Sequence, residues 1–181
     1  MRLLKAFLVG AAGLFIIITL FSLLIPSRVR VSRAVIITGV PIDSVRQQVA
    51  NFSNWHNWHP VFTKDSAQGA WQSSANGALN AVFRISHRKQ DVVITPKPSD
   101  TTATRFLLQA AGENEVDNEI VILQLESRQA VQVEWRAITK LPWYPWQKFY
   151  GIFVDQLTGP GYEAALNSLK NFLEQRTVSQ Q

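Results

Sequence analysis

The sequence predicts an α+β fold: a curved antiparallel sheet of seven strands packed on one long C-terminal helix, with a transmembrane helix ahead of both. Three observations carry this reading. Short apolar–polar alternating runs are separated by small polar turns, which suits hairpins rather than βαβ crossovers. The stretch from Trp146 to Glu174 keeps an apolar stripe at helical spacing. Ahead of the first strand-like run lie twenty positions, Ala6 to Ile25, without a charge.

Those twenty residues read AFLVGAAGLFIIITLFSLLI. At about 1.5 Å per residue they cover roughly 30 Å, the hydrocarbon thickness of a bilayer. A secretory signal peptide has a shorter apolar region, about 7–15 residues, and ends at small residues. Here the run closes on Leu23-Leu24-Ile25-Pro26, so an uncleaved single-pass anchor is expected. Arg2 and Lys5 precede the span and Arg28, Arg30 and Arg33 follow it, so the positive-inside comparison is nearly even. A short basic tail is more easily retained than exported. The expected location is therefore a bacterial inner membrane with the folded body outside the cytoplasm. Only residues 26–30 link anchor to body, a reach of at most about 18 Å. The body is thus expected against its own membrane. Arg28, Arg30 and Arg33 then stand at headgroup level, each gaining about 1 kcal/mol from anionic lipid.

Charge and composition exclude several classes. The 181 residues carry 18 Lys and Arg against 13 Asp and Glu, a net +5. Five of the basic residues and none of the acidic ones fall in the first 33 positions, so the body is formally neutral. A nucleic-acid binder needs clustered cations on one face, and none is expected here. Cysteine is absent, which excludes disulfides, thiolate nucleophiles and Cys-ligated metals.

Within the body, Val29, Val31, Val35 and Ile37 share the face of a first strand, and Gly39-Val40-Pro41 turns the chain. Ile42, Val45, Val49 and Phe52 recur at helical spacing. Trp55-His56-Asn57-Trp58-His59 forms a second short helix that Pro60 closes, capped by Ser53 or Asn54. Six further strands are read at Gly69 to Ser73, Leu79 to Ile85, Val92 to Thr95, Thr104 to Leu108, Glu119 to Glu126 and Val131 to Ala137. Gly112 to Asn118 reads as one of the polar separators. The last helix starts at Trp146 and is kinked or broken at Gly159-Pro160. The parts are a basic tail at 1–5, an anchor at 6–25, a linker at 26–30, a domain at 31–176 and a polar tail at 177–181.

This order resembles the SRPBCC superfamily, which includes polyketide cyclase/dehydrase-like proteins, START lipid-transfer domains and birch-pollen-allergen-like proteins. The likeness rests on Ser32 to Val45 (SRAVIITGVPIDSV), on Trp55-x-x-Trp58-x-Pro60, and on Gly161 to Glu174 (GYEAALNSLKNFLE). A membrane-anchored subgroup carries a similar apolar N-terminal helix. The resemblance implies a helix-grip fold with an apolar cavity between sheet and terminal helix, and the binding of hydrophobic molecules. Some members are cyclases or regulators, so it does not by itself imply catalysis.

The expected ligand-binding residues are Phe83, Ile85, Phe106, Trp135, Phe149 and Phe153 in the cavity, with His87 at its rim and Trp143 and Trp146 at its mouth. The Leu141-Pro-Trp-Tyr-Pro-Trp146 loop either lips that cavity or dips into the membrane interface. His56 and His59 sit three apart, but a metal needs further ligands and only His87 remains, so no metal is expected. The histidines are instead read as facing water while the tryptophans pack inward. No nucleophile elbow, phosphate loop or paired-carboxylate spacing appears, so no catalytic residue and no cofactor is assigned. The expected function is membrane-anchored binding of a lipid or other apolar small molecule. The alternatives are a protein-binding or envelope-stress regulatory module with a filled cavity, and an enzyme on a hydrophobic substrate with His87 as acid–base.

Overall fold

The structure, a computed structural model, describes residues 2–62, 67–73, 79–85, 90–110, 112–125 and 130–178. A 22-residue helix, α1 (Arg2–Leu23), leads into the 11-residue strand β1 (Arg28–Thr38). Gly39, at φ +73°, makes the turn that a side chain would strain. Helix α2 (Ile42–Ala50) follows, with Pro41 at its N-cap position. A 3₁₀ turn (Phe52–Asn57) comes next, capped by the side chain of Asn51, which accepts from the Ser53 amide. The remaining strands are β2 (Ala67–Ser73), β3 (Leu79–Ile85), β4 (Gln90–Pro96), β5 (Ala103–Ala110), β6 (Val116–Gln124) and β7 (Ala130–Lys140). Helix α3 (Pro145–Val178) ends the described chain.

All pairings are antiparallel, in the order β1-β7-β6-β5-β4-β3-β2. The α+β class, the antiparallel sheet and the long terminal helix are as the sequence predicts. Seven strands gripping the helix were expected. Among the described residues, five strands supply side chains to the core: β1, β4, β5, β6 and β7. β2 and β3 extend the hydrogen-bonded ladder beyond β4. Helix α3 lies chiefly along β1, parallel to it, with lesser contact to β7. Its start is tied to Ser27 and its far end to Thr38, whose amide and hydroxyl both donate to Glu174 Oε1.

The core sits under the second half of α3. Ala165, Leu166, Leu169 and Leu173 face Ile37, Ile120, Val131, Val133 and Trp135 across that interface. Burial of each such aliphatic chain contributes about 1.5–3 kcal/mol. Trp55, Phe52, Phe106 and Trp135 meet in an aromatic cluster with ring centroids 5.0–6.0 Å apart. Their polar atoms are satisfied: Trp55 Nε1 donates to the Val49 carbonyl, Trp58 Nε1 to the Gln48 carbonyl and Trp135 Nε1 to Asn118 Oδ1. β6 therefore begins inside the stretch the sequence reads as a turn, because Asn118 is a buried partner for Trp135.

Candidate functional site

Helix α3 has two unlike halves. After Gly161 its inward positions are large and apolar and its outward ones, such as Glu163, Asn167 and Asn171, are polar. Before Gly159 the inward positions are Lys148, Gly151, Val154, Asp155 and Thr158, all small or polar apart from Val154. Gly151 lets the helix backbone close on Leu141 and Val29, where an added Cβ would collide with Leu141 Cδ1. Gly159 lies under the Arg33 guanidinium in the same way. The helix is thereby drawn toward β1, and the start of β6 and the end of β7 are left uncovered.

A cleft of about 270 Å³ occupies that space. Val116 and Thr139, register partners on β6 and β7, form one wall, and Gln147, Tyr150, Val154 and Thr158 of α3 form the other. Gly112, Glu113 and Asn114 of the β5–β6 turn close its end. Gly112 has φ +79°, so the turn requires glycine there. Asn114 Nδ2 donates to Gln147 Oε1 at 3.3 Å and ties the turn to the helix. The lining is mixed, apolar at Val116 and Val154 and hydrogen-bonding at Asn114, Thr139, Gln147 and Tyr150. Such a site suits an amphipathic guest. Its volume lies just below the usual range of about 300–1,000 Å³ for small-molecule sites.

The cleft lies at the end of the domain where α1 arrives. Thr139 pairs with Val29 at the start of β1. Lys148, one residue beyond Gln147, donates to the Ile25 carbonyl at 2.9 Å and to Ser27 Oγ at 2.6 Å. Ser22, fully buried, marks the α1 end of the same junction. Helix α1 is long and apolar enough to cross a membrane and almost none of it is buried in the protein.

The expected ligand residues fall into three groups. Phe106 and Trp135 are buried in the packed aromatic core, away from the cleft lining. Trp146, Phe149 and Phe153 share one face of α3, as their spacing implies, but it is the outward one, and with Trp143 of the preceding loop they are 39–67% exposed. Phe83 and Ile85 are described only as strand positions of β3, with Phe83 opposite Gly69 and Val92, and His87 lies outside the described residues. The cleft is instead built from Val116, Thr139, Gln147, Tyr150, Val154 and Thr158. Two sequence signals for it existed: the small inward residues of the first half of α3, and a turn rich in hydrogen-bonding side chains.

Three other expectations change. His59 does not face water. It is buried among Trp55, Trp58, Phe62 and Trp135, stacked on Trp55 at 5.4 Å. Burial lowers its pKa to about 3, and its Nδ1 accepts from the Val61 amide, so the ring is neutral with its proton on Nε2. Arg33 has a protein partner: its two terminal nitrogens bond the two oxygens of Asp155 at 2.9 and 3.1 Å, a fork that fixes α3 to β1. Finally, α3 runs unbroken through Pro160, whose ring points to solvent.

The outer face of the sheet carries an ion-pair ladder. Arg105, Glu119, Arg136 and Glu134 link in series, and Ser32 Oγ donates to Glu134. The Arg136 guanidinium and then the Ser32 hydroxyl hold the Glu134 carboxyl down at about 2.

Comparison with solved structures identifies the fold. A START superfamily protein from Mycobacterium smegmatis superposes with a TM-score of 0.59 at 16% identity, covering 81% of this chain and 98% of that one. The Zhui aromatase/cyclase from Streptomyces sp. R1128 superposes at 0.61 with 12% identity, covering 82% and 95%. A hypothetical protein from Helicobacter pylori superposes at 0.57 with 16% identity, covering 80% and 87%. The chain therefore has an SRPBCC-like, START-like fold. No family model and no curated protein matches the sequence.

Proposed function

We propose that the protein is a membrane-anchored module that binds a lipid or other hydrophobic small molecule, with α1 as its single bilayer span. The observation that carries this reading is the cleft between α3 and the β6–β7 wall, placed beside the α1 junction. A START-like fold supports a hydrophobic-ligand role, and the mixed lining favours a guest with one polar end. A molecule leaving the bilayer would place its apolar part on Val116 and Val154 and its polar end among Asn114, Thr139 and Gln147. Phe106 and Trp135 belong to the packed core of the domain and not to this cleft. With about 270 Å³ to fill, the gross gain is modest and association costs of about 4–15 kcal/mol consume much of it, so exchangeable binding is expected. The packed interior under the second half of α3 favours a second reading, a regulatory module that recognises a protein.

Native mass spectrometry of the full chain released from lipid nanodiscs decides between them. One small molecule per chain is expected on the wild type and its loss on Thr139→Trp, which fills the cleft. Wild type that is always empty, together with one stoichiometric crosslinked protein, would establish the second reading.

A further inference from the structure

The first half of α3 is inverted relative to a solvent-facing helix. A helix on the surface of a water-soluble domain turns its polar side outward. From Trp146 to Leu157 the outward side carries Trp146, Phe149, Ile152, Phe153 and Leu157, each 39–62% exposed. Trp143 extends the patch into the preceding loop at 67%. Beyond Pro160 the same helix turns polar side chains outward, so the inversion is confined to the half that adjoins α1. The apolar strip is about 17 Å long at 1.5 Å per residue.

We propose that this face lies in the headgroup–acyl boundary of the same bilayer that α1 crosses, making the first half of α3 a membrane-interfacial helix. The inference rests on the reading of α1 as a transmembrane anchor. Two observations select a lipid surface as the occupant. The patch is continuous with the anchor: Lys148, on the first turn of α3, holds the Ile25 carbonyl and Ser27 Oγ, and Leu23 and Leu24 at the end of α1 are themselves exposed. Two basic side chains stand at the same end. Arg28 and Lys140 face each other as register partners of β1 and β7, and among the described residues neither forms an ion pair. Like charges opposite one another in a sheet repel, and anionic headgroups at that level remove the penalty. Trp143, Tyr144 and Trp146 at the junction supply rings that are apolar in body and polar at one edge, which suits the interface. In this pose the cleft stands at the lipid surface, since Gln147 and Tyr150 alternate with the outward residues on the same turns.

The chain contains no cysteine, so single cysteines label cleanly. Full-length protein carrying an NBD fluorophore at Ile17→Cys, Phe153→Cys or Asn171→Cys is placed in phosphatidylcholine–phosphatidylglycerol vesicles. It is then quenched by lipid-borne doxyl groups and by aqueous iodide. Phe153 and Asn171 are both exposed, so neither replacement removes a buried contact. The expected result is a deep label at Ile17, a shallow one at Phe153 quenched several-fold more by doxyl lipid than by iodide, and the reverse at Asn171. A deep Ile17 label with Phe153 as open to iodide as Asn171 overturns the interfacial helix and leaves the anchor standing. A Phe153 label shielded from both quenchers places a protein or a second copy on the face and also overturns it. An iodide-accessible Ile17 label removes the anchor itself.

Discussion

Arg33, Asp155 and Gly159 act as one unit. The fork between guanidinium and carboxylate would be ordinary at a surface, where exposed pairs contribute little. Gly159 makes it structural, because the guanidinium lies where a Cβ would stand and the helix backbone closes over it. Gly159→Ala is expected to push Arg33 off Asp155 and to cost about 1–2 kcal/mol, a typical overpacking penalty. Thermal denaturation of Gly159→Ala, Arg33→Ala and the double variant measures it. The double variant should be less destabilised than the sum of the singles, since removing Arg33 removes the clash. This residue-scale fact was hidden in the sequence. Gly159-Pro160-Gly161 reads there as a helix breaker, and nothing local says that the glycine serves an arginine 126 positions upstream.

At the level of elements, the α1–β1 junction and the first turn of α3 form a single joint. Lys148 is buried and its ammonium is held by a carbonyl and a hydroxyl rather than by a carboxylate. Lys148→Met keeps the stem and removes both bonds. It is expected to cost about 1–3 kcal/mol locally, because the Ile25 carbonyl and Ser27 hydroxyl lose their donor. Amide hydrogen exchange should speed up in residues 22–28 and 145–150 of the variant and stay unchanged in β5–β7. Uniform acceleration across the domain would show that the joint carries global rather than local stability. The existence of these elements was legible from spacing alone: strand alternation, two short helices and a long terminal stripe. Which side of α3 faces inward was not. Trp146, Phe149 and Phe153 mark a face, but periodicity gives a face without its direction.

Across the whole molecule, stability should depend on acid in a defined way. His59 has an unfolded pKa of 6.5 and a folded value of about 3, lowered by burial in its aromatic cage. Between those values the unfolded chain binds a proton that the folded one refuses. Stability is therefore full above pH 6.5 and is lost progressively as pH falls toward 3. Glu134, held at about 2 from 4.5 chiefly by Arg136, adds loss of the same sign only below pH 4.5. Of these two groups only His59 contributes in the interval from 6.5 to 4.5. In His59→Phe, urea denaturation should show a flat midpoint through that interval where the wild type falls. An equal slope in both proteins would mean that the ring is protonated in the fold.

Taken alone, the sequence determined the apolar N-terminal span, the α+β order of elements, the absence of thiol chemistry and the neutrality of the body, because these follow from local periodicity and composition. The tertiary structure decided what long-range packing controls. It closed the interior with Trp135, Tyr162 and Leu166, buried His59, and moved the open volume to the end of the sheet that adjoins α1. The physical reason is that a cavity is what remains after side chains from distant segments have met. Its walls at Val116, Thr139 and Val154 come from three elements whose approach is set by two glycines on α3.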